Sequence, residues 1–323
     1  MPLLRGSSYS APPFLDNGHL QSTLPTLFRR VHGIRYQRQR IATADHDFLD
    51  LDWSRIGSKK LAILSHGLEG SSQSHYVLGM VRALTRNGWD ALAWNFRGCS
   101  GEPNKTTRFY HSGATEDLQT VISAVMTQTK YSEIVLVGFS LGGNLTLKYL
   151  GEQGGKVHPL IKKAVTFSVP CDLAASVDEL AKPANRIYMK RFLVVLHQKI
   201  KAKMKVAPGQ INDDGYEQMK DFRDFDNRYT APLHGFKDAN DYWQKCSCKS
   251  FLKSIAIPAL VVNAKDDPFL SPSCYPIEEA NANRNLFLEI PDSGGHMGFM
   301  SFNHGGQYWS ESRAVEFLNG TCV

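Results

Sequence analysis

From residue 60 onward, short all-apolar runs alternate with longer runs whose apolar residues recur every three or four positions. "KKLAILSHG", "WDALAWNF", "EIVLVG" and "KKAVTFSVP" are of the first kind. Each is too short for a buried helix and ends in turn-forming residues, so each is predicted to be a strand buried on both faces. Between them, "SHYVLGMVRALTRNG" places Tyr76, Val77, Met80, Val81 and Leu84 on one helical face, with Asn87-Gly88 as a stop signal. "ATEDLQTVISAVMTQT" does the same with Leu118, Val121, Ile122 and Val125, and "GGNLTLKYLGE" reads as a third helix. Strand and helix alternating through short loops mean a parallel sheet covered on both sides, hence the α/β class.

The alternation stops near residue 171. Up to about residue 250 the chain offers helix-like pieces such as "NRIYMKRFLVVLHQKIKAKMK" and no clear buried strand. It resumes with "IAIPALVVNA", a helix-like stretch after Ser271, "NLFLEIP" and a last helix in "QYWSESRAVEFLN". The reading is therefore one core made of residues 1–170 and 251–323, interrupted by a helical cap over 171–250. Upstream, two alternating runs around Asp45-His46-Asp47 signal a hairpin. Residues 1–30, with Pro12, Pro13 and Pro25, read as an extended N-terminal arm laid over the domain.

Composition changes this picture little. The 323 residues are 42% apolar and 21% charged, as expected of a globular chain with a large core. A net charge of +6 tolerates anionic partners without calling for nucleic acid. The six cysteines (Cys99, Cys171, Cys246, Cys248, Cys274 and Cys322) are scattered, and Cys246-Ser247-Cys248 is too tight for a zinc pair. They read as free thiols in a reducing cytoplasm. No secretory h-region and no apolar run of membrane-spanning length is present in the sequence.

The candidate chemistry centres on "IVLVGFSLGGNLTLKYL". Gly138-Phe139-Ser140-Leu141-Gly142 lies where a strand must turn at once into a helix. Such a turn lifts the serine hydroxyl out of the sheet, and small residues two places on either side let neighbouring backbone approach. A serine hydroxyl needs a base to act as a nucleophile. In this arrangement an acid and then a histidine follow on later strand-end loops. "KDDPF" offers Asp266 and Asp267. Asp267 is preferred because the Asp-Pro step closes the loop, leaving Asp266 as a solvated or capping group. "SGGHMGF" offers His296, with His304 in "FNHGGQ" as its rival. The oxyanion of an acyl-transfer step needs two donors. The Leu141 amide is one, and the Leu68 amide, in "SHGLEG", is the candidate second. His66 reads as a packed support. No metal or organic cofactor is called for.

At this point the chain resembles the α/β-hydrolase superfamily, and more narrowly its YheT-like branch, related to the ABHD-type esterases and lipases. "PPFLDNGHLQSTLP", "HGLEGSSQSHY", "NFRGCSGEPN", "YHSGATEDL", "VGFSLGGNLTLKYL", "NAKDDPF" and "SGGHMGF" carry the resemblance in order over nearly the whole chain. It implies an eight-stranded, mostly parallel sheet with a helical cap after strand six, and a charge-relay set of Ser140, Asp267 and His296. It also implies an esterase or lipase-like enzyme acting on a small-molecule or lipid acyl ester. The alternatives are alcohol acyl transfer or thioester cleavage with the same set, or a binding module on the same scaffold.

Four features stay outside that reading. Arg97 either pairs with a carboxylate or meets an anionic substrate group. His111 and Asp117 are spaced by five residues and miss the acyltransferase signature of some relatives. "FLVVLH" either lines a pocket or packs on the core. The basic stretch 190–205, with Lys190, Arg191, Lys199, Lys201, Lys203 and Lys205, reads as a solvated helix face, with contact to anionic lipid as the alternative.

Overall fold

The structure is a computed structural model that describes residues 3–320, apart from 5, 129 and 304. Eight strands form one sheet: β1 (Gln37–Ala42), β2 (Phe48–Ser54), β3 (Lys60–Ser65), β4 (Asp90–Asn95), β5 (Glu133–Phe139), β6 (Ile161–Phe167), β7 (Ala259–Val262) and β8 (Leu286–Glu289). Their order is β1-β2-β4-β3-β5-β6-β7-β8. Only β2 runs against the rest: it is antiparallel to both β1 and β4, and every pairing from β4 to β8 is parallel.

The apolar runs become strands because their alternate side chains enter two separate cores. Leu61, Ile63, Ile134 and Leu136 pack on one face. Ala62, Leu64, Val135 and Val137 pack on the other. Helices α1 (Gly18–Phe28), α2 (His75–Arg86), α3 (Thr115–Met126) and α4 (Leu141–Gln153) precede β6. The first core is closed by Leu118 and Val121 of α3 and Leu145 of α4. The second is closed by Val77, Met80 and Leu84 of α2.

Between β6 and β7 the chain is helical: α5 (Leu173–Leu180), α6 (Arg186–Val206), α7 (Phe222–Phe225), α8 (Ala231–Leu233) and α9 (Ala239–Cys246). On α6 the buried residues are Met189, Leu193, Leu196, Ile200 and Lys203, a 4-3-4-3 spacing that keeps one stripe inward. Met189, Leu193, Leu196 and Ile200 form a third apolar cluster with Val177, Phe225 and Trp243. Two further helices, α10 (Ile277–Ala282) and α11 (Trp309–Asn319), flank β8. Among the described residues no helix is long and apolar enough to cross a membrane.

One expectation is corrected. The N-terminal segment is not simply extended, because Gly18–Phe28 is the helix α1. Asn17 caps it, its Oδ1 accepting from the amides of His19 and Leu20 at 2.9 and 3.1 Å. Pro25 lies inside the helix, where prolines ordinarily argue for a break.

Candidate active site

Ser140 is the N-cap of α4, directly after β5, with φ 51° and ψ −120°. A non-glycine residue here is strained, and the surrounding packing holds it. A Cβ on Gly142 would lie 2.3 Å from the carbonyl oxygens of Ser65 and His66, and one on Gly138 would lie 2.6 Å from the Gly142 carbonyl oxygen. Both glycines are thus demanded by close backbone approach, as their spacing predicts. The Ser140 amide donates to Phe167 O at 2.9 Å, which fixes the turn to the next strand.

The hydroxyl meets the first of two histidine bonds. His296 Nε2 lies 2.9 Å from Ser140 Oγ. On its other side His296 Nδ1 lies 2.9 Å from Asp267 Oδ2 and 3.1 Å from Oδ1. With Nδ1–H donating to the carboxylate, Nε2 is left as an acceptor for the serine hydroxyl. Asp267 is buried and its Oδ1 also accepts from the Phe269 amide at 2.9 Å. The Phe269 ring sits 4.3 Å from the imidazole, centroid to centroid, and restrains its tilt. Ser140 follows β5, Asp267 follows β7 and His296 follows β8, so parallel strand ends deliver all three to one edge. The rival base, His304, lies outside the described residues, as does Cys322.

The loop after β3 borders the serine. A Cβ on Gly67 would lie 3.3 Å from Ser140 Cβ. Neither the Leu68 nor the Leu141 amide donates to another described residue. His66 is a support: its Nδ1–H donates to Gly67 O at 2.7 Å and its Nε2 accepts from the Phe96 amide at 3.1 Å. Burial pushes its pKa down to about 3, so the ring is neutral.

Two supports escape sequence reasoning. The His296 amide donates to Ser22 Oγ at 2.8 Å, and that hydroxyl donates to Gly18 O at 2.6 Å. So α1 holds the histidine loop. Asp266 is not a solvated group. It is half-buried, accepts from the Gly295 amide at 2.8 Å through Oδ1, and keeps a buried Oδ2 without a partner among the described residues. Burial is the main reason its pKa is raised. "DNGHLQST" does contain an N-cap signal, Asn17 before Gly18, but nothing in it points to a loop at residue 296.

Two spaces meet at this edge. One is a cavity of about 120 Å³, walled mainly by apolar side chains such as Leu173, Val177, Leu196, Phe225 and Trp243, with Ser140 and His296 among its lining. The other is a groove of about 690 Å³ between α1 and α6 that also reaches Ser140 and His296. Leu68, Phe192 and Phe269 line both. From "FLVVLH", Phe192, Val195 and Leu196 line one or both spaces, while Leu193 is buried in the helical cluster.

Other singled-out residues are structural. The Arg97 guanidinium is buried and grips Asp117 through two bonds of 2.8 and 2.7 Å, with Asp45 at 2.8 Å. It therefore has no free face for a substrate anion. His111 is buried, accepts from the Gly113 amide at 3.2 Å through Nδ1, and is driven well below the ordinary histidine pKa mainly by burial. Lys199 is not on a solvated face: it pairs with Glu69 at 3.0 Å, next to Leu68, and lies 3.2 Å from Cys99 Sγ. Lys203 is likewise buried, donating to the carbonyls of Asn104, Thr106 and Arg108.

A strained serine at the carboxyl edge of a mostly parallel sheet, joined to a histidine and a carboxylate from later strand ends, defines the hydrolase class of this fold. The family model described as alpha/beta hydrolase fold matches residues 62–302. The chain is 36% identical over 314 residues to "Putative esterase YheT" of Escherichia coli, covering 94% of this chain and 90% of that protein. It is 34% identical over 277 residues to "Phospholipase ABHD3" of Bos taurus, covering 83% of this chain and 67% of that protein. Among solved structures, an esterase of Pyrococcus furiosus, Pf2001, shares the fold at a TM-score of 0.59 and 18% identity, covering 90% of this chain and 98% of that one. The chain belongs to the alpha/beta hydrolase fold family, on its esterase and lipase side.

Proposed function

We propose that the chain cleaves carboxylic acyl esters by two-step acyl transfer through Ser140, His296 and Asp267. His296 Nε2 takes the hydroxyl proton as Ser140 Oγ attacks the ester carbonyl. Asp267 keeps the proton on Nδ1 and stabilises the imidazolium that forms. The amides of Leu68 and Leu141 receive the oxyanion, a role in which one lost donor costs on the order of 10²–10³ in turnover. His296 then returns the proton to the leaving alcohol, and a water deprotonated by the same nitrogen clears the acyl-enzyme.

The observation that carries this reading is the unbroken chain of two hydrogen bonds, Ser140 Oγ to His296 Nε2 and His296 Nδ1 to Asp267. The apolar cavity suits the acyl chain and the open groove suits the alcohol. Residues 171–250 act as the cap that shapes both. The free thiols among the described cysteines suit a reducing, cytoplasmic setting.

The test is a panel of acyl esters and thioesters, run with water alone and with added alcohols, on the wild type and on Ser140→Ala. Ester hydrolysis should dominate, and the variant should lose on the order of 10⁴-fold or more while staying folded. A preference for thioesters, or product formed chiefly by alcoholysis, would replace the ester-hydrolase reading with a thioesterase or an acyltransferase.

A further inference from the structure

The groove that leads to Ser140 has an unusual rim. Nine large apolar side chains are exposed among the described residues, and five of them sit on the two helices that wall this groove. Leu20, Leu27 and Phe28 belong to α1, at 41, 55 and 74% exposure, and Ile187 and Val194 belong to α6, at 83 and 51%. The two helices are joined where the His19 and Tyr188 rings stack at 5.8 Å and His19 Nδ1 meets Tyr188 Oη at 3.2 Å. Leu27 and Ile187 both line the groove, together with Arg30 and Arg191.

The two helices that wall the groove carry no acidic residue, and Glu69, in the groove's lining, is paired with Lys199. No acidic residue occurs between Asp16 and Asp45, nor between Glu179 and Asp213. The second of these stretches carries eight basic residues. Lys199 and Lys203 are consumed inside the protein. Arg186, Lys190 and Arg191, toward the start of α6, are exposed and have no carboxylate partner among the described residues. Exposed apolar side chains and unpaired cations on the helices that wall an ester-sized groove match an interface in which apolar groups enter the acyl region and cations stay at anionic headgroups.

We propose that the α1–α6 rim docks the enzyme on an anionic lipid surface, with the mouth of the groove facing the lipid. The proposal rests on reading the groove as the route of the ester to Ser140. It places the contact at the start of α6 and along α1, not along the whole basic stretch 190–205. A docked enzyme would receive a lipid ester from the surface without releasing it to water.

The test is co-sedimentation with phosphatidylcholine vesicles, with and without phosphatidylglycerol, at low and physiological salt. Three variants are compared: Arg186→Gln/Lys190→Gln, Leu20→Ser/Phe28→Ser/Val194→Ser, and a charge-matched control, Lys201→Gln/Lys205→Gln, at the other end of α6. None of these residues lines the cavity or the groove, so hydrolysis of a soluble short-chain ester should stay at the wild-type level in all three. The wild type should bind anionic vesicles, and less at physiological salt. The Arg186/Lys190 variant should bind about 30-fold more weakly, the equivalent of about 1 kcal/mol for each cation. The apolar triple variant should lose binding at both salt concentrations, and the control should lose far less.

Equal binding to both vesicle types, binding to neither, or an equal loss in the control would overturn the proposal. Concentration-dependent dimerisation abolished by the triple variant, without vesicle binding, would assign the rim to a second copy instead. Vesicle binding is read without turnover and should persist in Ser140→Ala. A failed ester assay with intact lipid binding would therefore count against the catalytic reading alone.

Discussion

The backbone amide of His296 donates to the side chain of Ser22 at 2.8 Å, across 274 residues of sequence. An N-terminal helix therefore holds the loop that carries the proposed base. Ser22→Ala leaves that amide unpaired in a half-buried place, a loss of about 1–3 kcal/mol. Because the defect lies in the aim of the imidazole, kcat should fall about tenfold or more while KM moves less than about threefold. Ser22→Thr, which keeps the hydroxyl, should restore most of the rate. Steady-state kinetics of the three proteins on one soluble ester provide the check, and a change confined to KM would assign Ser22 to substrate contact instead.

The two neighbouring aspartates should separate cleanly. Asp267 contacts the imidazole, whereas Asp266 accepts from the Gly295 amide. Asp267→Asn should lower kcat on the order of 10⁴-fold, since an amide no longer enforces the needed tautomer. Asp266→Asn retains an acceptor for Gly295 and should cost less than about tenfold. Kinetics on both folded variants decide between them, and the reverse order of effects would transfer the role to Asp266.

The elbow was legible in the sequence because its requirements are local: Gly138 and Gly142 frame Ser140 within five residues. The placement of Asp267 and His296 beside Ser140 was legible because strand order dictates which loops can reach the serine. The role of Ser22 was not, because its partner is set by how α1 lies on the domain. The prolines of the first thirty residues also masked the helix. Lys199 and Lys203 misled for a related reason. Lysine on a helix ordinarily points to water, and only the tertiary fold brings Glu69 and three carbonyls to meet them.

Acyl selectivity should follow the wall of the small cavity. Val177 lies on α5 and lines that space. Val177→Phe fills part of it, and overpacking would force longer chains out. The ratio of kcat/KM for an eight-carbon ester to that for a two-carbon ester should drop by about tenfold or more, the scale set by a methylene or two in an apolar pocket. An unchanged ratio over the ester panel would mean that the acyl chain lies in the groove.

Stability should fall on the acid side through His66, whose pKa burial lowers to about 3. The unfolded chain binds this proton near pH 6.5 while the folded chain refuses it. The contribution is therefore complete above pH 6.5 and is lost as pH falls toward 3. Between pH 6.5 and 5 this one group accounts for a loss of about 2 kcal/mol. His66→Asn, which offers a donor and an acceptor without titrating, should flatten that part of the profile. Denaturant unfolding at pH 7 and pH 5 measures it, and an identical pH dependence in the variant would show that His66 is protonated in the folded state.

Every step proposed for the ester begins at an activated Ser140. Intact-protein mass spectrometry after reaction with a fluorophosphonate, followed by peptide mapping, tests it directly. The expected result is one adduct per chain, located on Ser140, formed at a rate that collapses in His296→Ala and absent in Ser140→Ala. A folded wild-type protein that takes up no label, or an adduct mapped to another residue with Ser140 untouched, would contradict it.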